Sequence, residues 1–353
     1  MKAHTKRKKE REFKMTKINL RPDMFHEHEF TLLENDDFQV TTFKYPSGIE
    51  AATIRNSRGY LTVLPFYGLI VWDAVFDGIS LKMKDAFTQP LPGKEIADTY
   101  GCFQFNSGLL ANGNPAPEDT HQQHGEFPTS RMDRAFLTVT DHNLAVHAEH
   151  EYVKGFGDHY LAQPRVTMHA DSGLFDLEMQ VTNLSNSQAM PLQYMCHMNY
   201  AYQDQAQISS NIPDEAFTLR QTIPAHVHPN EDWLAFNDEL KQSGRLINCL
   251  DDAKHYDPEI VFFSSDLTKY AAEAEFKMTA GEGKHFVTKF KTADFPIVTR
   301  WLMYNGDQQV AAFALPGTST PEGRLAAQKA GTLIMLPPHA TKHFHVTTGL
   351  VKD

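Results

Sequence analysis

Cysteine is scarce: Cys102, Cys196 and Cys249 are the only three in 353 residues. An odd, widely spaced trio excludes a disulfide-stapled scaffold and a cysteine-rich zinc cluster, and it fits a chain kept reduced in the cytoplasm. Their neighbours are apolar, so they read as packing residues rather than nucleophiles. Long apolar runs are missing as well. The most hydrophobic stretch, residues 60–75, is broken by Pro65, Gly68 and Asp73, which rules out a membrane-spanning helix of about 18 residues. A Gly-x-Ser-x-Gly elbow, a P-loop and a Gly-x-Gly-x-x-Gly turn are all missing, leaving those hydrolase, nucleotide and dinucleotide chemistries without support.

Positive charge is in short supply outside one place. The chain carries −11 overall, yet residues 1–17 hold eight cations against Glu10 and Glu12, a local +6 that leaves −17 for the remainder. Phosphate backbones need a cationic face, so an acidic body opposes nucleic-acid binding. The basic segment has Phe13 alone for stacking and no apolar core of a secretory signal. It is expected to be a disordered tail, with Met15 as an alternative start, ahead of a single domain over residues 18–353.

What the sequence has in abundance is period-2 alternation. From Leu174 to Val181 the apolar residues Phe175, Leu177, Met179 and Val181 alternate with Asp176, Glu178 and Gln180, the pattern of a strand with one buried face. Preceded by residues 165–169 and a Ser172-Gly173 turn, it forms one predicted hairpin; residues 137–147 around Asp141-His142-Asn143 form another. Further strands are predicted at 39–44, 49–55, 60–65, 259–264, 286–292, 297–304, 310–315, 332–336 and 343–348. Helical signal is confined to 231–242 and 322–329. Many strands, few short helices and no βαβ rhythm point to an all-β fold, a large antiparallel sandwich. The irregular stretches 85–130 and 203–245 are expected to carry function as loops on that scaffold.

Three groups of residues have chemistry to offer. Gly108 to Asn114, with Asn112, leads to Asp119, His121 and His124-Gly125, a rigid polar loop with two imidazoles. In residues 190–200, Leu192, Tyr194, Cys196 and Met198 alternate with Gln193, Met195, His197 and Asn199. The pattern sets His197 and Asn199 side by side on one face, where ring and amide can orient a polyol. The third group is a set of His-x-His pairs, His26/His28, His226/His228 and His343/His345, whose spacing puts two rings on one strand face as metal ligands require. Glycines are absent around 226–231 and the carboxylate comes early for a cupin motif, so no metal site is assigned. Arg300-Trp301 closes an apolar strand with a cation and an indole able to stack on a sugar ring.

The order of these segments, from about residue 40 to 350, resembles the galactose mutarotase (aldose 1-epimerase) superfamily, in particular its aldose-1-epimerase-like bacterial branch. Gly108–Asn114 with His124-Gly125 resembles the segment that leads to the family's first substrate-binding histidine. His197-x-Asn199 resembles its second, Tyr256-Asp257-Pro258 its sugar-binding aspartate, and residues 294–301 and 323–338 its closing strands. The resemblance implies a mutarotase-like β-supersandwich, a monosaccharide or sugar derivative as partner, and anomer interconversion through an open-chain aldehyde without a cofactor. His197 would be the acid, with Asn112, His124, Asn199, Asp257, Arg300 and Trp301 binding substrate. The family's base is a glutamate before a proline in a late strand, where this sequence has Leu315-Pro316. Glu322, seven residues on, is the candidate replacement, although a glutamate at a helix start is also explained by the helix dipole. Two alternatives follow: a sugar-binding protein without catalysis, favoured by Leu315, and a metal-dependent cupin-like isomerase resting on the His-x-His pairs. Nothing in the sequence indicates an oligomeric state.

Overall fold

Alternation translates directly into half-buried strands. In Leu174–Asn183 every second side chain is buried, and the strand pairs antiparallel with His159–His169, Val166 opposite Leu177. The computed structural model describes residues 15–224 and 227–353. Nine strands form one sheet, in the order Thr16–Leu20, Arg134–Val139, Asn143–Val153, His159–His169, Leu174–Asn183, Thr341–Lys352, Lys284–Lys291, Glu273–Thr279 and Ile208–Ser210. Thirteen form the other. From one edge it runs Phe217–Leu219, Ile260–Ser264, Ile297–Tyr304, Gln309–Gly317, Met190–Met198, Gln104–Leu109 and Ile70–Phe76. All named pairings are antiparallel, as expected for an all-β sandwich.

Between the sheets lies one large apolar cluster that includes Phe103, Phe175, Tyr194, Cys196, Met198, Phe262 and Phe313. A smaller cluster, with Trp72, Cys102 and Phe105, packs on the far face of the larger sheet. That sheet is therefore buried on both sides around Met190–Met198, where only Pro191 is not fully buried. Two α-helices, Glu231–Ser243 and Arg324–Ala330, join the strands. The first is capped by Asn230 and ends at Gly244 with φ 67°, the left-handed stop that glycine takes without a Cβ penalty.

Seven of the eight cations of the basic segment stand in residues 1–14, outside the described residues. The expected boundary at residue 18 falls inside a strand: Thr16 pairs with Val139 and Lys17 with Thr138. The Lys17 ammonium sits 3.7 Å above the Phe136 ring, a cation–π contact that a charge count does not register. No helix among the described residues is long and apolar enough to cross a membrane.

Candidate functional site

Strand register assembles the site on the outer face of the larger sheet. His197 lies opposite Phe105 and Met195 opposite Ser107; Trp301 lies opposite Val261, and Thr299 opposite Leu315. Paired residues share a face, and six of these, Met195, His197, Val261, Thr299, Trp301 and Leu315, line a single cavity of about 270 Å³, closed by Tyr100 and His124 from the 85–130 loop and by Arg220 and Glu259. A register shift between Thr299 and Trp301 brings the small Ala312 opposite Trp301. Bulges of this kind re-aim side chains where a regular ladder would not.

His197 is buried, its ring stacked on Phe105 at 4.4 Å and set edge-on to His124 at 5.0 Å. Its Nε2 lies 3.3 Å from the Tyr100 hydroxyl. Burial first, and His124 next, hold its pKa well below the ordinary 6.5, while the Asn199 side chain pulls the other way. The ring is therefore neutral at neutral pH. Burial also raises the Tyr100 phenol well above its usual value, helped by Cys102 and Glu259, so its proton stays on.

His124 is placed by a loop that folds back on itself. Its backbone has φ 61° and Gly125 has φ 80°; a Cβ at Gly125 would stand 2.2 Å from the Ala111 carbonyl oxygen, which explains the glycine. His124 N–H donates to Gly113 O (2.9 Å) and Gly108 N–H to His124 O (2.9 Å). Glu126 anchors the loop, accepting from Leu109 N–H (3.0 Å), Leu110 N–H (3.1 Å) and Tyr160 O–H (2.7 Å). The Ser107 hydroxyl donates to Asn112 Oδ1 (2.5 Å) and lies 2.9 Å from His124 Nδ1. Because the hydroxyl has one proton, the imidazole donates to it from Nδ1.

Glu259 is the sole acidic side chain among the described residues lining the cavity. One of its oxygens accepts from Arg220 Nη2 (2.6 Å) and the other from the Trp301 indole (2.7 Å).

The structure brings together some of the sequence candidates and disperses others. His124, His197 and Trp301 line the cavity, as does Leu315. Asn112 and Asn199 are buried behind the histidines, Asn199 donating to Cys102 O (3.0 Å). Asp257 is exposed and outside the cavity, its nearest amide being Asn305 Nδ2 at 3.5 Å; Glu259, two residues on, occupies the wall instead. Arg300 departs furthest from expectation. It points to the opposite side of its strand and donates to Ile247 O (2.5 Å), Asn248 Oδ1 (2.9 Å) and Phe313 O (3.3 Å). Burial brings its pKa down to about 10, partly offset by Asp214. Glu322 lines a second hollow next to the cavity, where it accepts from the Thr222 hydroxyl (2.7 Å). The expectation that Cys249 is buried is also corrected: it is partly exposed and accepts from Gln207 Nε2 (2.8 Å), whereas Cys102 and Cys196 are buried, their thiols pushed up to about 12.

Among the described residues, no three histidine, cysteine, aspartate or glutamate side chains converge as a metal site. His26, His28, His228, His343 and His345 are exposed, and His226 lies outside the described residues.

No family model and no curated protein sequence matches the chain. Solved structures do. A candidate aldose 1-epimerase from Klebsiella pneumoniae superposes with TM-score 0.79 at 14% identity, covering 97% of this chain and 92% of that one. A galactose mutarotase-like protein from Clostridium acetobutylicum gives 0.60 at 13%, covering 90% and 100%. Galactose 1-epimerase from Lactobacillus acidophilus gives 0.52 at 9%, covering 97% and 100%. The chain has the galactose mutarotase-like fold. At these identities the likeness establishes the fold alone. Within the mutarotase-like sandwich, three wall residues carry no mark in the sequence: Glu259, at the start of a predicted strand, Arg220, in an irregular stretch, and Tyr100. Tyr100 lay in the other irregular stretch. Their side chains meet only through tertiary pairing.

Proposed function

We propose that the cavity binds a reducing sugar and interconverts its anomers by acid–base chemistry, with Glu259 in the role that Leu315 leaves vacant. The observation that carries this reading is the convergence of His124, His197, Trp301 and Glu259 on one cavity. An indole and two imidazoles suit a pyranose, which has apolar faces and a rim of hydroxyls. Thr299 Oγ1, buried in the same wall, has no partner among the described residues, and a sugar hydroxyl would supply one.

In this reading Glu259 takes the proton of the anomeric hydroxyl while protonated His197 gives its proton to the ring oxygen as the bond from C1 to that oxygen breaks. Rotation about the C1–C2 bond and closure with the roles reversed yield the other anomer. Only protons move, so no cofactor is called for. Positioned acids and bases contribute about 10²–10⁴-fold each. His124 orients the sugar, and Asn199 packs behind the histidines rather than against it. The buried free thiols Cys102 and Cys196 fit a cytoplasmic setting.

A second reading, sugar binding without catalysis, draws on the same residue: both Glu259 oxygens already accept hydrogen bonds. Exchange NMR on the anomeric protons of an aldose panel decides between them. Accelerated exchange that is lost in His197→Asn supports the first reading. Saturation transfer from protein to sugar without accelerated exchange supports the second.

A further inference from the structure

A larger hollow, about 690 Å³, adjoins the cavity of about 270 Å³ and shares four lining residues with it: Asn114, Gln123, Arg220 and Pro321. Three segments of chain wall it, 114–123, 220–224 and 321–322. Asn114 N–H donates to Pro321 O (3.0 Å) and Gly323 N–H to Asn112 O (3.1 Å), so the first and third of these are held to each other by main-chain bonds.

The lining has two characters. Pro115, Pro117, Pro224 and Ile223 give apolar surface, with Ile223 47% exposed. Proline rings are rigid, so this surface exists before any ligand arrives. Set against it are polar groups already in register: Gln123 Nε2 donates to Asn114 Oδ1 (2.8 Å), Arg220 Nε to Thr222 O (3.0 Å), and the Thr222 hydroxyl to Glu322 Oε1 (2.7 Å). A carboxylate, a guanidinium and two amides beside flat apolar rings match a second pyranose better than a lipid or a purely apolar substituent.

Resting on the reading of the cavity as a sugar site, we propose that the adjoining hollow is a second glycosyl subsite, and that the substrate is a reducing oligosaccharide rather than a free monosaccharide. Chemistry constrains the linkage. Anomer exchange needs a free hydroxyl on C1, so the second sugar must be carried on another oxygen of the reacting unit, as in a reducing disaccharide. Arg220 spans both spaces and, through its ion pair with Glu259, links occupancy of the outer one to the position of the carboxylate.

The test compares glucose and galactose with the reducing disaccharides maltose, cellobiose and lactose, using the full chain. Anomer exchange is measured by NMR and binding by saturation transfer. Two variants probe the hollow without touching the cavity: Ile223→Asp removes apolar surface, and Ala116→Trp fills space. Thermal unfolding confirms that each variant is folded. The expected result is a KM for at least one disaccharide about tenfold below that of its parent monosaccharide, equivalent to about 1.4 kcal/mol. Both variants should erase that advantage and leave monosaccharide exchange unchanged. Equal KM values, unaltered by either variant, overturn the subsite while the anomerase reading stands. If no sugar shows accelerated exchange, the anomerase reading fails and binding decides the subsite. Disaccharide saturation transfer weakened by Ala116→Trp then supports it, and its absence, or indifference to the variant, overturns it.

Discussion

The Trp301 indole donates to Glu259 at 2.7 Å, joining an aromatic platform on one strand to the cavity's acidic group just ahead of the neighbouring strand Ile260–Ser264. The same carboxylate closes a buried ion pair with Arg220 at 2.6 Å. One side chain thus holds the floor and one wall of the cavity together.

Glu259→Gln keeps the shape of the side chain and removes its proton-accepting charge. Anomer exchange should fall by about 10²-fold or more. The change also strands the Arg220 cation, so unfolding should occur at a lower temperature. Adding Arg220→Met should recover stability without recovering exchange. Exchange that persists in Glu259→Gln would remove Glu259 from the proton path.

The neutral state of His197 predicts the direction of the pH profile. Its pKa is held well below 6.5 by burial and by His124, so the imidazolium is a minority form at pH 7. Exchange that depends on the imidazolium should accelerate as pH falls from about 8 towards about 5, by up to about tenfold per unit. Stability runs the other way. The unfolded chain takes up a proton near the ordinary histidine value and the folded chain does not, so this residue lowers stability as pH drops below it. His197→Asn should flatten both trends. A flat wild-type rate profile would argue that His197 is not the acid.

Leu315→Glu tests whether the cavity wall accepts a carboxylate where the family pattern has one. Leu315 is 1% exposed and faces Thr299 across the strand pair. No cation stands among its register partners, so the new group should titrate above an ordinary glutamate. The variant should therefore be destabilised by roughly 2 kcal/mol or more at pH 7 and by less at pH 4, where the carboxyl is protonated. Denaturant unfolding at the two pH values measures the difference. An equal loss at both would mean that steric misfit, rather than charge burial, dominates.

Gly125→Ala probes the loop that carries His124. The added Cβ meets the carbonyl oxygens of Ala111 at 2.2 Å and Gly108 at 2.6 Å, on backbone with φ 80°. A loss of about 2 kcal/mol or more is expected. Gly155→Ala, with nothing within 4 Å of its added Cβ, should cost far less and serves as the control.

The sequence by itself determined many of the strands, the two hairpins around residues 141–143 and 171–173, and the helix expected at 231–242 and observed over Glu231–Ser243, because a regular period is a local property of the chain; it does not mark Ile70–Phe76, Gln104–Leu109 or Glu273–Thr279 as strands. It also singled out the loop bearing His124 and the strand bearing His197. Tertiary structure decided the rest. Arg300 and Trp301 both had the chemistry of a sugar site, yet neighbours in a strand point to opposite faces. Register against Val261 gave Trp301 the cavity and sent Arg300 to the Ile247 carbonyl. Glu259 replaced Asp257 in the wall because the distant Arg220 and Trp301 hold its carboxylate there. His197 became a buried neutral ring, rather than a half-exposed polar one, because the strand beside it supplied Phe105 and the distant loop supplied Tyr100 and His124. Those contacts span up to 97 residues of chain, and no local pattern encodes them.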